Sequence, residues 1–276
     1  MRNWHWFLLI LALVATAAVA QAPASGPAET ATPAASEAAP PAPLHPVFTP
    51  TPSQVQAAAD FGARARRNKL SEQEMLRRWG QPVPDARGIV IPMAPLVRVS
   101  AATYEATKLH RDEAATQQEI ESALEHREDI LVFQVRLLSR GKANWIFPPA
   151  TTSGDKKALE SVQFVLADDR GHFYEPLDAE AARRIVGKES ESGLPVTVYS
   201  TVQLGGSFWI SLPFGGTSRR TDFEANYQVP FALRDKDGNP VIGPDAKTMS
   251  LRIIGAAAEK SVVFNLAELM QPPRPK

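Results

Sequence analysis

The chain has 276 residues, of which 30 are Lys or Arg and 30 are Asp or Glu, and it contains no cysteine. Balanced charge removes the basic surface that non-specific nucleic-acid binding requires. Without thiols there is no disulfide, no cysteine nucleophile and no lipid-bearing N-terminal cysteine, so a folded domain must stand on its hydrophobic core.

The first residues read as an export signal. Arg2 gives a positive start, Phe7 to Val14 is an unbroken apolar run, and Ala18-Val19-Ala20 offers small residues to a signal peptidase. Cleavage is expected after Ala20, giving an exported, periplasmic or extracellular protein. The run is short against the ~20 residues of a permanent span, which leaves a retained signal anchor as the alternative. Cleavage removes Arg2 and leaves 29 basic against 30 acidic side chains. Residues 21–52 are expected to be a disordered linker. Nine Ala and eight Pro between Gln21 and Pro50 cannot bury enough surface to offset their ordering entropy.

A helical segment is expected over 53–80. Ser53 with Gln56, and Ser71 with Glu74, have the spacing of capping boxes, and Gly80 with Pro82 marks the stop. Basic side chains gather here, from Arg64 to Arg78. From residue 87 to residue 270 the pattern is that of strands. Ile89 to Met93 and Leu96 to Tyr104 open it. They are interrupted by one helical insertion at Thr116 to Arg127, opened by a capping box from Thr116 to Glu119. That insertion lies in an acidic stretch, and we expect it to approach the basic helices.

Ile130 to Leu138 is the strongest strand signal, with Leu131, Phe133, Val135 and Leu137 on one face and Gln134 and Arg136 on the other. An aromatic loop, Asn144 to Pro149, follows. Ser161 to Pro176 then reads as a hairpin about Asp168-Asp169-Arg170-Gly171, and Phe231 to Ile242 repeats the device about Asp237-Gly238. Val196 to Phe214 is expected to turn at Gly205-Gly206. Alternation over Phe223 to Leu233, Met249 to Ile253 and Val262 to Leu266 supplies the last strands, before a Pro-rich tail at 271–276.

Short strands with turn residues between them predict a mainly β protein, an antiparallel sandwich with N-terminal helices. The runs Phe164 to Gly171 and Asp235 to Val241 carry a resemblance to exported bacterial immunoglobulin-like domains. That resemblance implies a sandwich used for binding or scaffolding, and it transfers no functional residue.

Reaction chemistry is scarce. His110 and His126 lack the second histidine four residues away that a zincin helix needs. Glu125, His126, Glu128 and Asp129 are read as a solvated acidic helix end rather than a cation site. Asp168, Asp169 and His172 are what a turn wants, as are Asp235, Asp237 and Asn239, where Pro240 breaks the calcium-loop pattern. His45 falls in the linker and is set aside. No Gly-x-Ser-x-Gly elbow and no phosphate-cradling loop is present. Catalytic residues, metals, cofactors and nucleotides are therefore not expected. The candidate binding residues are aromatic: Trp145, Phe147 and Trp209, which suit a sugar or a protein partner. The expectation is an exported non-catalytic envelope protein whose partner is another envelope protein or a wall polymer. A carbohydrate-binding module and a secreted hydrolase are the alternatives.

Overall fold

Leu131, Phe133, Val135 and Leu137 are all buried, and the sheet they line meets a second sheet and a helical layer in one hydrophobic core. The computed structural model describes residues 41–125, 127–140, 162–178, 180–182, 201–204, 208–211, 217–220, 222–255 and 259–273. Pro41–Lys276 form one unit.

The first sheet has five strands: β1 (Gln81–Pro82), β2 (Arg87–Pro92), β3 (Ile130–Arg140), β9 (Asp222–Ala232) and β6 (Thr201–Leu204), in the order β1-β2-β3-β9-β6. The second has four: β11 (Glu259–Asn265), β10 (Thr248–Ile254), β4 (Gln163–Asp168) and β5 (Phe173–Tyr174), in the order β11-β10-β4-β5. A separate ribbon pairs β7 (Phe208–Ser211) with β8 (Thr217–Arg220). Every pairing is antiparallel. Aromatic rings join the two larger sheets. Phe133 of β3 meets Phe264 of β11 at 5.8 Å between centroids, and Tyr227 of β9 meets Phe164 of β4 at 5.0 Å. Truncating a ring such as Phe133 would remove apolar area from both sides of this contact, a change that typically costs about 3–5 kcal/mol.

Helices supply the rest: α1 (Pro52–Arg67), α2 (Glu72–Arg77), α3 (Pro95–Lys108), α4 (Glu113–Leu124) and α5 (Leu266–Leu269). The protein is thus a mixture of helix and antiparallel sheet rather than the mainly β chain its strand patterns predict. Most of the difference lies at α3, where a strand was expected from Leu96 to Tyr104. Pro95 occupies the first helical turn, and Leu96, Val97, Ser100, Thr103 and Tyr104 are buried at helical spacing. Its β-branched and hydroxyl residues obscure the pattern. Ser100 Oγ donates to Leu96 O at 2.9 Å and to Ala58 O at 3.0 Å, and Thr103 Oγ1 donates to Val99 O at 2.8 Å. The hydroxyls are satisfied inside the helix and can be buried.

Three other expectations change in detail. The cap of α1 is Thr51 rather than Ser53, with Gln54 as its reciprocal partner and Pro52 in the first turn. Asp112 rather than Thr116 caps α4, accepting from Ala115 N at 2.8 Å, while Thr116 Oγ1 donates back to Asp112 O. The hairpin expected at Gly205-Gly206 does not form, because β6 pairs with β9 and β7 pairs with β8. The second Gly-Gly, at 215–216, lies between the strands that do pair. The capping box of Ser71 and Glu74 is present, and the hairpin of β4 and β5 closes about Gly171 at φ +85°.

Order also begins earlier in the chain than its Pro content predicts. Leu44, Val47 and Phe48 are buried, Pro46–Phe48 form a 3-10 turn, and Arg234 Nη1 donates to Ala42 O at 2.8 Å. Proline fixes φ without a donor, so a strap of prolines loses little entropy when three apolar side chains anchor it.

Candidate functional site

The outer face of the five-stranded sheet is set by register. Ile89 of β2 stands opposite Arg136 of β3, and Ile91 opposite Gln134; across the next seam Arg136 stands opposite Asn226 of β9, and Gln134 opposite Gln228. Residues directly opposite share a face, so these six side chains form two adjoining rows on the side away from the sheet-to-sheet core. The intervening residues Val90, Val135 and Tyr227 are buried in that core.

Helix α2 stands over these rows. Its start is fixed by Ser71, whose Oγ accepts from Glu74 N while the Glu74 carboxylate accepts from Ser71 N at 2.8 Å and from its Oγ at 2.7 Å. Met75 and Leu76 turn inward and are buried, which leaves Gln73 and Arg77 at the rim. The chain leaving the helix lies directly on the sheet. A Cβ at Gly80 would come within 2.9 Å of side-chain atoms of both Ile89 and Ile91, so any larger residue would have to push the isoleucines aside. Gln73 Oε1 accepts from Arg136 Nη1 at 2.9 Å and ties helix to sheet.

Between helix and sheet is a cleft of about 390 Å³, within the range of small-ligand sites. Leu76, Ile89 and Ile91 give it an apolar side; Gln73, Gln134, Asn226 and Gln228 give it carboxamides; Arg77 and Arg136 give it positive charge. No carboxylate, histidine, serine or threonine lines it among the described residues. The one phenol at its floor, Tyr227, packs its ring on Phe164 in the core, where burial pushes its ionisation above the ordinary range. These groups can recognise a molecule, but they include neither a nucleophile nor a general base. Two polar atoms of the lining, Gln228 Oε1 and the Tyr227 hydroxyl, are buried and meet no hydrogen-bond partner among the described residues. A buried polar atom left unpaired costs about 1–3 kcal/mol.

The residues singled out from sequence lie elsewhere. Trp145 and Phe147 are outside the described residues, as is His126. Trp209 sits in the β7 ribbon, in register with Arg219. Nothing described brings these three aromatic residues together. Asp168 and His172 do meet, Nδ1 to Oδ2 at 2.8 Å, and Asp168 Oδ1 also accepts from Arg170 N and His172 N. Burial pushes the Asp168 carboxyl up, but these bonds outweigh it and hold the group below its usual range. Asp235 repeats the loop, accepting from Asp237 N and Asn239 N ahead of Gly238 at φ +82°. Both are turns closed by their own backbone. No three His, Asp or Glu side chains among the described residues group so as to hold a metal ion.

The acidic insertion packs against α3. Helix α3 packs against α1 and against α4. Arg98 of α3 makes the link to α4, its Nη2 donating to Glu125 O at 2.8 Å, and burial pulls its ionisation down to about 10.

The cleft itself was missed because Gln134 and Arg136 were legible as a wet strand face, yet the rows opposite them were not. Asn226-x-Gln228 carries the same polar alternation, but only the register shows that the two faces adjoin. No family model, no curated protein and no solved structure matches the chain.

Proposed function

We propose that this chain is an exported, non-catalytic envelope protein that holds another envelope component in the cleft between α2 and the outer face of its five-stranded sheet. The observation that carries the reading is the lining of that cleft: carboxamides, two guanidiniums, an apolar wall and a buried phenol, with no carboxylate, histidine, serine or threonine among the described residues. The apolar signal stretch and the Ala/Pro spacer support an exported setting in which the folded part stands away from its point of attachment or release. The two larger sheets, joined through Phe133, Phe264, Phe164 and Tyr227, are consistent with an immunoglobulin-like sandwich carrying a helical layer. Among the described residues no helix is long and apolar enough to cross a membrane.

The test is co-sedimentation of the full-length chain with isolated cell envelopes. Replacing Gln134 and Gln228 by Ala removes two polar arms at once, each worth about 1 kcal/mol. Retention is expected to fall about tenfold or more while the melting temperature stays within a few degrees. Equal retention of the double variant would contradict the reading.

A further inference from the structure

Helices α1 and α3 run in the same direction and finish at the same end of the helical layer. Ser100 of α3 meets Ala58 and Gly62 of α1. One turn further on, the Tyr104 hydroxyl donates to Leu70 O, just past the end of α1, at 2.9 Å. Glu72, at the start of α2, lies beside Glu105 and Lys108 near the end of α3. Basic side chains collect here: from Arg64 to Arg78 there are six, against two acidic ones. Nearby acids are engaged within the chain. Glu74 accepts from Ser71 N and Oγ at 2.8 and 2.7 Å, Glu105 pairs with Lys108 at 2.9 Å, and Glu119 pairs with Arg111 at 3.4 Å. Arg66, Arg67 and Lys69 are exposed, and their side chains make no hydrogen bond or ion pair among the described residues. Leu109, the C-cap of α3, is 53 % exposed between Lys108 and His110.

We propose that this end of the helical layer rests on an anionic phospholipid bilayer. Arg66, Arg67 and Lys69 reach headgroup phosphates, and Leu109 enters the boundary between headgroups and acyl chains. Basic side chains in a last turn are also favoured by the helix's own dipole, which accounts for Arg66 and Arg67. That account reaches neither Lys69, beyond the helix at φ +60°, nor an apolar side chain left in water beside Lys108. A soluble polyanion would satisfy the cations but gives Leu109 nothing apolar to enter. A second copy of the chain is a poorer match, because acids of α4 already have partners: Glu119 has Arg111, and Glu121 accepts from Gln117 Nε2 at 3.1 Å.

Fluorescence at position 109 tests this on the full-length chain. It has no cysteine of its own, so Leu109→Cys supplies a single thiol for an environment-sensitive label. The probes are vesicles of phosphatidylcholine, vesicles of phosphatidylcholine and phosphatidylglycerol in equal parts, and soluble polyphosphate. A blue shift is expected on the mixed vesicles, with little on phosphatidylcholine and none with polyphosphate. A hold of the apolar N-terminal stretch on lipid acts on both vesicles alike, so the difference between them reports the basic end. Replacing Arg66, Arg67 and Lys69 together by Gln leaves melting unchanged, since all three are exposed. It raises the lipid needed for half the shift by about tenfold or more, each basic residue near an anionic surface contributing about fivefold. The same label on Phe173→Cys, on the four-stranded sheet, stays unshifted. Absence of a shift at 109 on mixed vesicles overturns the proposal, as does an equal shift on phosphatidylcholine or one undiminished in the triple variant. A shift of the same size with polyphosphate also overturns it, and marks the basic end as a site for soluble polyanions.

Discussion

His45 shows how much one side chain can decide. Its ring is buried, and Nδ1 accepts from Val47 N at 3.1 Å, closing the 3-10 turn of the N-terminal strap. That bond requires a neutral ring. Burial lowers the His45 ionisation below its ordinary value of 6.5, opposed by a bond to the Ala246 backbone and by the charges of Asp169 and Asp245. The sign follows by linkage. The unfolded chain takes up this proton first, so the contribution is complete above about pH 6.5 and is lost as pH falls through that value. Urea unfolding at several pH values should therefore show wild type losing stability below about pH 6.5, with His45→Asn losing less over the same interval. Parallel profiles would remove His45 as the cause. Other single residues were readable without the fold. Gly171 and Gly238 were placed in turns by their Asp neighbours, and both have positive φ. His45 was not readable, because a run of prolines around it carries the composition of a linker.

At the scale of elements, helix packing depends on a glycine and a serine. A Cβ added at Gly62 of α1 would lie 2.1 Å from the carbonyl oxygen of Ser100 on α3, against backbone that cannot turn aside. Ser100 Oγ bonds to Ala58 O across the same contact. Gly62→Ala must push the helices apart and is expected to destabilise the protein by about 1–3 kcal/mol despite the better helix propensity of alanine. Denaturant midpoints would show this as a clear loss, and an unchanged or raised midpoint would mean the contact is looser than described. The same contact explains why α3 was hard to see. Its inward face includes Ser100 and Thr103, which look polar in sequence and are buried because each bonds a backbone carbonyl of its own helix. Strand β3 had no such disguise: four apolar residues at alternate positions remain buried together. Pairing between strands was less legible than the strands themselves. Two Gly-Gly pairs, at 205–206 and 215–216, offer the same turn chemistry, and long-range pairing of β6 with β9 decides between them.

For the whole molecule, a short strand-rich sequence hides a site that no local pattern announces. Four polar residues of the cleft come from β3 and β9, and the two at its rim come from α2, more than fifty residues earlier in the chain. Only the order β2-β3-β9 and a helix laid across it bring them together. The opposite side of the molecule offers a different surface. Phe173 of β5 is 58 % exposed, with the Arg252 guanidinium 4.7 Å from its ring centre. These two surfaces can be compared directly. A photo-cross-linking amino acid placed at Gln73, on the rim of the cleft, or at Phe173 reports which one meets a partner in the intact cell. Irradiation should yield an adduct from position 73 and none above background from position 173. An adduct from position 173 with none from 73 would place the working surface on the four-stranded sheet and contradict the cleft.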